Sequence, residues 1–90
     1  IIVDVSHDNC IIDGKKHYEL QDKIVLDVIE SIKDRPGLKK MVKGFMLESF
    51  IKSGNQSVTT ESALDLGGLS ITDPCISWEK TEQLLMKLAL

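Results

Sequence analysis

The first five residues, Ile1-Ile2-Val3-Asp4-Val5, put apolar side chains on both faces of any strand they form. Alternation sets Val3, Val5 and His7 on one face and Ile2, Asp4 and Ser6 on the other. A β-branched run favours a strand, and a strand apolar on both sides has to be covered on both sides. Sheets covered that way are parallel, so a crossover segment must return the chain in the same direction. Residues 18–33 provide it. Leu20, Ile24, Val25, Val28, Ile29 and Ile32 fall at helical spacing, with Asp22, Lys23, Asp27 and Glu30 turned away. Pro36-Gly37 stops the helix, and Lys39-Lys40 read as solvated charges ahead of a second strand over residues 42–48. Asp4 is the exception in the first run: a carboxylate there needs a partner, and the sequence does not name one.

Beyond the second strand, residues 52–68 show neither helical nor strand period and are rich in Ser, Thr, Gly and Asn. A loop that long in a compact domain is functional or disordered. Leu69-Ser70-Ile71-Thr72-Asp73 reads as a third strand, ended by Pro74. Ser77 suits a helix N-cap with Glu79 in the first turn, and Trp78, Leu84, Leu85 and Leu88 fall on one helical face. The predicted order is strand, helix, strand, long loop, strand, helix: an α/β chain with parallel strands. Each strand-like run ends in a residue able to ligate a metal ion: His7, Glu48 and Asp73. In α/β folds the carboxyl ends of strands are where ligands bind. Residues 8–17 read as a loop, with His17 and Lys15-Lys16 at the surface.

Charge and size narrow the class of function. Eleven basic against 14 acidic residues leave a net charge of −3. No basic run is interleaved with aromatics, and only Tyr18, Phe45, Phe50 and Trp78 could stack a base, which argues against nucleic-acid binding. No apolar run approaches the roughly 20 residues of a membrane span. Cys10 and Cys75 form neither a CxxC pair nor a disulfide framework, so a reducing, cytoplasmic setting is expected, with both as small packing residues. Ninety residues make at most one domain. The start in mid-strand, without methionine, suggests a piece of a longer chain.

Three blocks carry a family resemblance: Val3-Asp4-Val5-Ser6-His7-Asp8-Asn9; Glu48-Ser49 followed by Gly54-Asn55-Gln56; and Ser70-Ile71-Thr72-Asp73-Pro74-Cys75-Ile76-Ser77-Trp78-Glu79-Lys80-Thr81. In this order and spacing they resemble the C-terminal part of class I 3-deoxy-D-arabino-heptulosonate 7-phosphate (DAHP) synthases. Gly67-Gly68-Leu69 departs from the family's aromatic-glycine-basic sequence, and Pro74 stands where a small residue is common. The resemblance implies a (β/α)8 TIM barrel, of which residues 1–90 would be strands six to eight. It implies condensation of phosphoenolpyruvate with erythrose 4-phosphate, the first step of the shikimate route, on a divalent ion (Mn, Fe, Co or Zn). The implied ligands are His7, Glu48 and Asp73, with Asp73 also nearest the aldose hydroxyls. The family's cysteine ligand has no counterpart at Cys10 or Cys75.

Three strands cannot close a barrel, so bare strand edges call for another chain. The expectation is a homo-oligomer, strand-paired or domain-swapped as a fragment, and inactive without upstream strands. The alternative is a non-catalytic, stand-alone module that binds a metal ion or a phosphosugar at the same strand ends.

Overall fold

The computed structural model describes residues 1–59 and 63–89. The chain divides into two compact units, Ile1–Leu47 and Glu48–Leu90.

The first unit runs β1 (Ile2–Asp4), a 3-10 helix (His7–Cys10), β2 (Ile11–Ile12), β3 (Lys15–Lys16), α1 (Leu20–Lys33), α2 (Pro36–Met41) and β4 (Gly44–Met46). β1 and β4 pair in parallel, with Ile2 opposite Gly44, Val3 opposite Phe45 and Asp4 opposite Met46. The ladder continues past both ends: Val5 N–H donates to Met46 O (3.1 Å) and Lys43 N–H to Ile1 O (2.8 Å). The expected β-α-β connection is therefore present, and Val5 is fully buried. Along α1, Gln21 and Val25 are buried, while Leu20, Ile24, Val28, Ile29 and Ile32 are half-buried.

Three local features differ from the sequence reading. Residues 8–17, expected as a loop, hold the rest of the 3-10 helix and then a hairpin, β2 against β3. Its two turn residues, Asp13 and Gly14, have φ of +52° and +77°. Positive φ at both positions is the type I′ geometry whose twist matches paired strands. Pro36-Gly37 ends α1 as expected but also starts α2, with proline in the first turn. Its fixed φ and missing N–H cost nothing at that position. Lys39 and Lys40 are exposed, on this helix rather than in a loop.

The second unit carries α3 (Trp78–Ala89) and three isolated bridges among its described residues. Ser49 bridges Ile76 in parallel, Gly54 bridges Cys75 antiparallel, and Asn55 bridges Ser70 in parallel. The third strand expected over 69–73 does not form. Ser70 Oγ donates to Asp73 O (2.7 Å) and accepts from Thr72 N–H (3.1 Å), which winds these residues into a turn. Short hydroxyl side chains compete with the sheet ladder in this way. Ser77 caps α3 as expected, its Oγ accepting from Lys80 N–H at 3.2 Å. The buried face of α3 is narrower than the expected stripe: Thr81 and Leu84 are buried, whereas Trp78 and Leu85 are exposed. Seven residues apart, Trp78 and Leu85 share a face that is not the one holding Leu84. Among the described residues, no helix is long and apolar enough to cross a membrane.

Candidate functional site

β1 stops at Asp4 because that carboxylate turns back on its own chain. Its Oδ1 accepts from Ser6 N–H (2.8 Å) and from the Ser6 hydroxyl, and its Oδ2 lies 2.9 Å from His7 Nδ1. Asn9 Nδ2 donates to Asp4 O at 2.7 Å, closing the turn. The partner missing for Asp4 is thus its own downstream neighbourhood. The Ser6 hydroxyl, then the Ser6 N–H, then His7 hold the Asp4 carboxyl below the usual carboxylate range. His7 opens the 3-10 helix at φ +54°, a left-handed conformation uncommon outside glycine. It is exposed and no longer in the strand that was expected to carry it. Cys10, buried behind this turn, donates its thiol to Val5 O at 2.9 Å.

In the second unit, Glu48 and Asp73 are half-buried and present carboxylate oxygens within 4.8 Å of one another. The backbone around Glu48 is tied to the segment after Asp73. Ile76 N–H donates to Glu48 O (3.0 Å) and Phe50 N–H to Ile76 O (3.0 Å). The Ser49 and Thr81 hydroxyls are also hydrogen-bonded. Asp73 sits at the end of the Ser70 turn, between two bridged positions, Ser70 and Cys75. Oxygen donors at this spacing are of the type that a hard or borderline divalent ion takes.

The residues that build this frame went unassigned in the sequence. Asn55 Nδ2 donates to Thr72 O at 2.9 Å, one residue before Asp73. Gln56 uses its whole amide: Nε2 donates to Asp65 O (2.7 Å) and Leu69 O (3.2 Å), and Oε1 accepts from Asp65 N–H (2.8 Å). The backbone adds Gln56 N–H to Ser70 O, and Gly54 N–H to Cys75 O, both at 2.8 Å. Lys52 Nζ lies 2.6 Å from Asp65 Oδ2 and, with the Gly67 N–H, keeps that carboxyl below its ordinary range. The available signal is a side-chain amide pair after a glycine, since a side-chain amide carries a separate donor and acceptor that can engage C=O and N–H groups at once. The long loop is thus organised where it is described, and its residues 60–62 lie outside the described residues. Cys75 is buried, as its packing role required, and burial pushes its thiol pKa up. Both cysteines are free thiols.

A parallel β-α-β unit followed by an acid-bearing loop frame defines an α/β protein. Residues 1–86 match the family described as the DAHP synthetase I family, and the chain belongs to it. It is 38% identical over 89 residues to the Trp-sensitive phospho-2-dehydro-3-deoxyheptonate aldolase of Enterobacter agglomerans, covering 99% of this chain and 23% of that protein. The Tyr-sensitive aldolase of Escherichia coli K12 is 38% identical over 88 residues, covering 98% and 23%. The structure of the phospho-2-dehydro-3-deoxyheptonate aldolase of Francisella tularensis SCHU S4 matches with a TM-score of 0.77 at 31% identity, covering 98% of this chain and 23% of that one. The chain spans about a quarter of the length of these relatives. These matches carry the family and the share covered, not the C-terminal position expected above.

Proposed function

We propose that this chain supplies strands six to eight of a (β/α)8 barrel whose reaction is the metal-dependent condensation of phosphoenolpyruvate with erythrose 4-phosphate. The products are DAHP and phosphate, at the entry to the shikimate route. The family match over residues 1–86 supports the reaction class, and the observation that carries the site is the close pair of carboxylates, Glu48 and Asp73.

In this reading His7, Glu48 and Asp73 are three ligands of one divalent ion. An imidazole nitrogen with two carboxylate oxygens suits Mn, Fe, Co or Zn. When bound, the ion supplies Lewis-acid polarisation of the aldehyde carbonyl. The chain's own residues do the rest. Glu48 and Asp73 offer carboxylate oxygens close enough to share one cation. Asp73, at the tip of its turn, also accepts hydrogen bonds from the aldose hydroxyls. Asn55 and Gln56 hold the backbone leading into Asp73, at Thr72 and Leu69, so the acid keeps its aim as substrate binds. The fourth ligand, a cysteine in the resembling family, comes from outside this chain.

The test is made in the full-length protein. His7→Ala and Glu48→Gln should each abolish DAHP formation and Mn²⁺ binding by calorimetry. Activity within about twofold of the parent in either variant would sink the ligand assignment.

A further inference from the structure

Asp4, unexplained in the strand, has a second role beside shaping the turn. Ser6 owns a single hydroxyl proton and donates it to Asp4 Oδ1. Its oxygen can then only accept, and an ionised carboxylate only accepts. Two groups at hydrogen-bond distance from His7 Nδ1 are therefore acceptors: Ser6 Oγ at 2.8 Å and Asp4 Oδ2 at 2.9 Å. Nδ1 must carry the proton. In a neutral imidazole the lone pair then resides on Nε2. The backbone adds a constraint of its own, because His7 is held at φ +54°, a region a non-glycine residue keeps only when its surroundings impose it.

We infer that Asp4 is a positioning residue that fixes His7 in the Nδ1–H tautomer, so that Nε2 is the atom offered to the divalent ion. This rests on the reading of His7 as a ligand. Carboxylates behind a metal-bound histidine set both ring orientation and basicity, and losing one lowers metal affinity by about 10–100-fold. The geometry also says what each variant does. In Asp4→Asn the amide oxygen keeps the two bonds from Ser6, which leaves the amide N–H₂ facing His7 Nδ1. That group donates, Nδ1 must accept, and the ring proton moves to Nε2, where it blocks the ligand atom. Ser6→Ala removes bonds that shape the turn but leaves the Asp4–His7 bond.

The experiment uses the full-length protein labelled with ¹⁵N-histidine, with the His7 signals assigned by their loss in His7→Gln. Long-range ¹H–¹⁵N correlation spectra, taken above the ordinary histidine titration range, report the tautomer without any metal present. Mn²⁺ titration by calorimetry reports affinity. The expected results are Nδ1–H in the parent and in Ser6→Ala, and Nε2–H in Asp4→Asn, whose Mn²⁺ affinity falls about 10–100-fold. Ser6→Ala should keep its affinity within about threefold; equal losses in the two variants would mean that Asp4 only shapes the turn, and would overturn the inference. A parent His7 in the Nε2–H form, with His7→Ala still losing the ion, would overturn this inference alone. Undiminished Mn²⁺ affinity in His7→Ala would overturn the ligand reading together with it.

Discussion

Gly68 is the residue whose identity the loop frame restricts most. It is buried at φ +108°, and a Cβ there would sit 2.5 Å from Ile51 Cβ. Its carbonyl accepts from Lys52 N–H at 2.9 Å, so the two strands of loop are pressed together where the glycine stands. Both the backbone conformation and the contact exclude a side chain. Gly68→Ala should therefore cost roughly 2–4 kcal/mol, read by denaturant unfolding. Adding Ile51→Ala should return the steric part of that loss and leave the conformational part. A Gly68→Ala protein as stable as the parent would contradict both. Gly14 is permissive for a different reason: nothing lies within 4 Å of a Cβ there, and only its φ of +77° favours glycine.

Elements in this chain differ in what holds them. α1 rests on a periodic apolar face and α3 starts at the Ser77 cap, features local enough to be read in advance. The segment from Gly54 to Ile76 has no such period; cross-loop hydrogen bonds hold its described residues, and the Gln56 side chain makes three of them. Gln56→Ala should leave the Asp65 N–H and two carbonyls without their partner, at a cost of about 1–3 kcal/mol. The loss should be confined to this frame. Amide hydrogen exchange is expected to accelerate at Asp65 while the β1–β4 amides keep their protection. Uniform acceleration, or none, would mean that Gln56 does not brace the turn carrying Asp73.

At the scale of the molecule, the described residues bury few apolar side chains: Val5, Cys10 and Val25 in the first unit, and Cys75, Ile76 and Leu84 in the second. Many remain exposed, among them Ile2, Met46, Ile51, Trp78 and Met86. The parallel pair β1–β4 forms a two-stranded sheet, and two strands alone are marginal in water. An isolated 90-residue chain should therefore associate through its strand edges and apolar faces, as a strand-paired or swapped homo-oligomer. Size-exclusion chromatography over a dilution series checks this, with apparent mass expected to fall on dilution as structure is lost. A folded monomer persisting at low concentration would refute it.

Periodicity and strand-end chemistry made much of this protein legible from its residues. The apolar stripe of α1 needed only spacing, and Ser77 needed only its place before Trp78. His7, Glu48 and Asp73 stood out as ligand types after apolar runs. The Asp13-Gly14 hairpin is also present in the letters, as a turn pair between two short runs, within a stretch whose polarity alone suggests only a loop. What residue patterns do not carry is the partner of a polar group distant in sequence. Asn55 and Gln56 reach residues 9 to 17 positions away, and the turn that displaces the third strand depends on which backbone groups Ser70 finds nearby. Asp4 shows the same limit at short range. Its place in an apolar strand was plain from the sequence, but its bond to His7 required the left-handed turn, and only the folded chain sets that φ.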